Sequence, residues 1–76
     1  MKLPEKFDEA ILGRGSSLLL AEDVLIYDVD TVLHVLMDEG MSYEDAIEHF
    51  DYNIAGSYVG TGTPIWLWPY NGDDND

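Results

Sequence analysis

The stretch that decides the fold is Asp28–Gly56, DVDTVLHVLMDEGMSYEDAIEHFDYNIAG. Its first part places apolar residues at Val29, Val32, Leu33, Leu36 and Met37, the i, i+3, i+4, i+7, i+8 spacing of one helix face. Its second part repeats the habit with Tyr43, Ala46, Ile47, Phe50 and Ile54. Neither part alternates as a strand would, so the stretch predicts two short helices that meet at Gly40. Asp28 and Ser42 stand where helix N-caps stand, because a short oxygen-bearing side chain can accept the free N–H groups of a first turn. Asp45, three residues after Ser42, makes a variant capping box with Asp in place of Glu or Gln. Met41 and Ala46 take the two positions of a hydrophobic staple, and Asp30 lies in the first turn of helix one, at its positive end. Gly40 suits the left-handed residue that closes a helix, and Gly56 is the expected end of the second one.

The flanking segments are less regular. Val24-Leu25-Ile26-Tyr27 is β-branched and aromatic, and reads as a strand. Ile65-Trp66-Leu67-Trp68 reads as another, stopped by Pro69, with Gly60-Thr61-Gly62-Thr63-Pro64 as the turn before it. Residues 1–9 read as a short helix or an irregular arm. Ala10-Ile11-Leu12 is a short apolar run, Gly13-Arg14-Gly15-Ser16-Ser17 reads as a loop, and Leu18-Leu19-Leu20-Ala21 is ambiguous between strand and helix. The order predicts an α+β fold: a helical hairpin packed on one face of a two- or three-stranded antiparallel sheet.

Seventy-six residues make one domain, 1–76, ending in an acidic tail at 71–76. A core of this size supplies only about 3–5 kcal/mol. The chain has no cysteine, hence no disulfide or thiolate–metal staple. No apolar run approaches the roughly 20 residues of a membrane span, and Met1–Glu5 lacks a signal-peptide core, so an intracellular location is expected. Sixteen acids against three bases give a net charge of −13, of which the tail holds only Asp73, Asp74 and Asp76. This excludes nucleic acid and anionic membrane as expected partners and favours a basic protein surface.

The candidate binding residues follow from the charge. Glu44, Glu48 and Asp51 form a stripe at i, i+4, i+7 on helix two, with Asp45 and Asp38 nearby. Like charges at that spacing oppose the helix, so helix propensity does not select them. A solvated face is the plain alternative, but such faces mix signs and lysine is almost absent here. Trp66 and Trp68 form one face of the last strand and Ile65 and Leu67 the other, so a partner, a second copy or the segment before Tyr27 can cover whichever face the helices do not; a homodimer through Trp66 and Trp68 is the second binding expectation. His34 and His49 each have an acid four residues away, but they fall on different helices and form no metal-ligand motif. No Gly-x-Ser-x-Gly elbow surrounds Ser42, and Gly13-Arg14-Gly15 and Gly60-Thr61-Gly62 lack the third glycine or the lysine of a phosphate loop. The reading is therefore non-enzymatic, with no catalytic residue, metal or cofactor.

Gly40-Met41-Ser42-Tyr43-Glu44-Asp45-Ala46, Asn53-Ile54-Ala55-Gly56, Val59-Gly60 and Thr63-Pro64-Ile65 together resemble a group of small tailed-bacteriophage proteins to which no activity is assigned. Asp8-Glu9-Ala10-Ile11-Leu12-Gly13-Arg14-Gly15 and Tyr27-Asp28 extend the likeness, which spans most of residues 8–65; Ser16–Ala21 and the acidic end depart from it. The resemblance implies a phage or prophage origin, hence the cytoplasm of an infected bacterium, and no particular chemistry. Small acidic phage proteins often block host defence by imitating DNA. The leading expectation is thus an inhibitor of a nucleic-acid-binding defence protein, such as a CRISPR effector or restriction enzyme. The alternative is an interaction or structural module that binds through its apolar tryptophan face.

Overall fold

The computed structural model describes residues 1–70; the acidic tail assigned to 71–76 lies outside the described residues. A 3-10 turn at Glu5–Ala10 leads into β1 (Ile11–Gly15), β2 (Val24–Asp28), α1 (Val29–Asp38), α2 (Tyr43–His49) and β3 (Ile65–Leu67). The fold is α+β, with the helical hairpin on one face of a three-stranded sheet ordered β1-β2-β3. The strand at Val24–Tyr27, the hairpin and the glycine-rich turn before β3 all form as the residues predict.

The helix boundaries are set by local chemistry. Gly40 has φ of 108°, its N–H donates to Met37 O at 2.9 Å, and the Met41 N–H donates to Leu36 O at 3.4 Å. This pair of bonds is the Schellman arrangement, which satisfies the last carbonyls of α1. Ser42 Oγ accepts the Asp45 N–H at 3.1 Å and starts α2. Asp28 departs from expectation. It begins α1, but its carboxylate accepts the Thr31 hydroxyl at 2.7 Å and not a backbone N–H. The nearby hydroxyl is the competing donor that sequence position alone does not reveal.

Helix two also departs from a plain α-helix. From Phe50 to Ala55 it widens to π spacing, and the Gly56 N–H donates to Asp51 O, five residues back, at 3.1 Å. Gly56 ends the helix as expected, through closeness and not through a left-handed backbone. A Cβ there would stand 3.1 Å from the carbonyl oxygens of both Asp51 and Tyr52. The buried arc is Ala46, Phe50 and Ile54, with Ile47 at its margin. Tyr43, expected on that arc, is exposed, since only Ala46 is small and central enough to meet α1.

The sheet holds the larger corrections. Gly13-Arg14-Gly15, expected as a loop, belongs to β1 and pairs antiparallel with β2, with a bulge between Ile11 and Gly13. A Cβ on Gly15 would meet Ile26 Cδ1 at 3.0 Å and Ile65 Cδ1 at 3.2 Å. Gly15 thus lets two isoleucines from neighbouring strands close over the backbone, a non-local reason for a glycine in a strand. Leu18–Ala21 is neither strand nor helix but an exposed turn, with the Leu20 N–H donating to Ser17 O at 3.0 Å. The β3 strand runs parallel to β2, where an all-antiparallel sheet is expected. Residues 56–64 carry the chain back to the entry end of β2, where the Met1 amine donates to Gly62 O at 3.2 Å. From there β3 can only run alongside β2 in the same direction, the geometry of a crossover connection.

The core gathers Tyr27, Val29, Val32, Leu33, Leu36, Ala46, Phe50 and Ile54 with Leu3, Phe7 and Ala10 of the N-terminal arm. Tyr27 is its centre and is fully buried. Its hydroxyl oxygen accepts the Leu3 N–H at 2.8 Å, which gives the buried oxygen a partner and ties the arm down.

Candidate functional site

The outer face of α2 is built by the cap and by Ala46. Ser42 fixes where the helix begins, and Ala46 is pressed against α1, so the residues opposite it point outward. Glu44, Asp45, Glu48 and Asp51 are all exposed there, and Asp38 is exposed at the end of α1. Glu44 and Asp45 have a local reason to be acidic, since they sit in the first turn at the positive helix end. Glu48 and Asp51 lie beyond that turn and have no such reason. Asp38 is placed against the preference, because the C-terminal end of a helix is its negative end.

Counter-charges lie elsewhere. Lys2 pairs with Asp8 at 2.7 Å, Lys6 with Glu39 at 2.8 Å, and Arg14 approaches Asp23 at 4.0 Å. The hydrogen bond to Asp8 holds the Lys2 amine above the ordinary lysine range. Among the described residues no lysine or arginine pairs with Asp38, Glu44, Asp45, Glu48 or Asp51. Exposed pairs of this kind each contribute little, so they position the arm more than they stabilise it.

A shallow, open groove runs along this face, lined by Met41, Asp45, Glu48, His49, Tyr52 and Asn53. Its walls are mixed: two carboxylates, an imidazole whose Nδ1 lies 3.3 Å from Asn53 Nδ2, and the apolar surfaces of Met41 and Tyr52. Met41, Tyr52 and Asn53 are absent from the expected site. Helix periodicity does not point to them together, because Met41 precedes the Ser42 cap and Tyr52 lies in the π-spaced segment. His34 stands apart, with Nδ1 at 2.8 Å from Asp30 O. Among the described residues no group of three or more His, Asp or Glu is placed to hold a metal ion. No helix among them is long and apolar enough to cross a membrane.

The tryptophans occupy the helix-facing side of β3. Trp66 packs edge-on to Phe50 at 5.3 Å between ring centroids and tilts against Tyr27 at 5.8 Å. Trp68 is also edge-on to Phe50 at 5.8 Å, and 47% of it remains exposed. The structure therefore does not bring the acids and the tryptophans into one site: the acids face out from α2, while Trp66 lies beneath it and Trp68 at its margin. Ile65 and Leu67 point to the opposite face, as the alternation predicts.

Comparison with known proteins yields no matching family model, no matching curated protein and no matching solved structure.

Proposed function

We propose that the protein is a non-enzymatic inhibitor that presents the outer face of α2 to a basic, nucleic-acid-binding surface of another protein. The observation that carries this reading is the set of exposed carboxylates on a capped helix, while every lysine and arginine of the chain is placed beside a different acid. Duplex DNA presents one negative charge per roughly 1.7 Å of axis, and its readers meet it with lysine and arginine. A helix fixed by Ser42 and by its contact with α1 offers such cations fixed carboxylates and loses less entropy on docking than a loose acidic segment would. The groove adds chemistry suited to a long cationic side chain. An arginine or lysine stem can lie along Met41 and Tyr52 while its head meets Asp45 and Glu48.

The class of target, a CRISPR effector or restriction enzyme in the cytoplasm of an infected host, rests on the resemblance to tailed-phage proteins. A module that binds through Trp66 and Trp68 is the second reading. The exposed half of Trp68 favours it, and the stacking of both indoles on Phe50 limits what they can offer a partner.

The test is competition with labelled duplex DNA for a host CRISPR effector or restriction enzyme, read by mobility shift as salt is raised. Displacement of DNA at low salt that fades as salt screens the contacts is the expected result. Binding indifferent to salt would reject mimicry in favour of the apolar module.

A further inference from the structure

We infer that the outer face of the sheet is a self-association surface, on which a second copy of this chain stacks sheet against sheet. This goes beyond the acidic-face reading and does not depend on it. The face opposite the helices presents Ile26 of β2 and Ile65 and Leu67 of β3, joined by Leu12 at the bulge of β1, while Val24 at its edge is already buried. Gly13 and Gly15 place no side chain over it, and Ile26 and Ile65 lean across Gly15. Ile65, Leu67 and Leu12 remain 39%, 45% and 57% exposed. At the Val24 end, Leu19 and Leu20 line a second groove with Glu22 and Gly60–Thr63, so the exposed leucines extend the apolar surface up to one carboxylate at its rim.

Charge and area select the occupant. Among the strand residues only Asp28 is acidic, and its carboxylate is engaged by Thr31. The acids of the helical hairpin lie in the other layer, so two sheets can meet with most of their charge turned away. A fully exposed leucine or isoleucine offers roughly 180 Å², and the free fractions of Leu12, Leu19, Leu20, Ile65 and Leu67 amount to on the order of 500 Å². A homodimer face of about 800 Å² per partner, about 65% apolar, needs a similar amount. Stacked sheets sit about 10 Å apart, and a two-fold axis makes such a face complementary to itself.

The repulsion between two chains of −13 gives the proposal its signature: added salt should strengthen association, the opposite of its effect on an acidic face bound to a basic partner. The experiment is sedimentation equilibrium of the full chain at micromolar concentration, from low to molar salt, with circular dichroism to confirm folding. The wild type should shift from monomer towards dimer as salt rises, with at least a tenfold fall in Kd. Ile65→Thr with Leu67→Thr should remain monomeric throughout. Leu12→Lys, at an exposed bulge where misfolding is not expected, should weaken the dimer at least tenfold, and Trp68→Ala should leave it unchanged. A wild type monomeric at every salt, a dimer that weakens with salt, or one that ignores both the β3 pair and Leu12→Lys would overturn the proposal.

Discussion

The helical layer and the sheet of this protein solve opposite problems with opposite residues. The hairpin at 28–56 is amphipathic, capped and acidic, and each of its boundaries is set by residues within five positions of it. The sheet is nearly uncharged, carries two glycines in one strand, and is held by contacts between residues far apart in the chain, such as Gly15 with Ile65. The difference separates what a chain can announce locally from what only the closed fold reveals.

Phe50 joins the two layers, since Trp66 and Trp68 both rest on its ring. Phe50→Ala should therefore show the largest effect, a loss of about 3–5 kcal/mol. For a core of this size that is near-complete unfolding, visible as lost near-ultraviolet circular dichroism. A folded variant would mean that the layers hold together without that ring.

Gly15→Ala probes the sheet alone. Its new Cβ must displace Ile26 and Ile65, an overpacking that costs about 1–3 kcal/mol in urea denaturation. A neutral result would show that both isoleucines turn aside freely. The hairpin's counterpart is Ser42→Ala, which removes the bond to the Asp45 N–H and should cost about 0.5–2 kcal/mol. A neutral Ser42→Ala would show that the start of α2 does not rest on its local cap.

What was legible follows the same division. The 3.6 period of α1, the Ser42 cap and the left-handed Gly40 are local signals, and the structure carries all three. The Gly13-Arg14-Gly15 strand is not legible in the sequence, because Gly15 answers to Ile26 and Ile65 of the neighbouring strands and Gly13 to the bulge, where its φ is 153°. The parallel course of β3 was hidden for a similar reason: it follows from where residues 56–64 return, a path anchored by Met1. At the candidate site the acidic stripe was readable, while the groove was not. Met41 reads as a staple residue before the Ser42 cap, and Tyr52 lies in the π-spaced segment, so only the folded chain brings them beside Asp45 and Glu48. The widening after Phe50 leaves no mark in the period, since Phe50 and Ile54 are buried at ordinary spacing.

The smallest effect on stability and the largest on function should come from one variant. Glu44→Gln, Glu48→Gln and Asp51→Asn together bring the net charge from −13 to −10 and remove like-charge neighbours. Each relieved pair is worth about 0.2–0.5 kcal/mol and offsets the loss of the Glu44 charge at the helix N-terminus, about 0.3–1 kcal/mol, so the melting temperature should stay nearly the same. The decisive measurement is competition between this variant and duplex DNA for a host CRISPR effector or restriction enzyme that the wild-type protein inhibits, at low salt. Loss of competition by a fully folded variant is the expected result. Competition equal to that of the wild type would contradict the assignment of binding to the acidic face of α2.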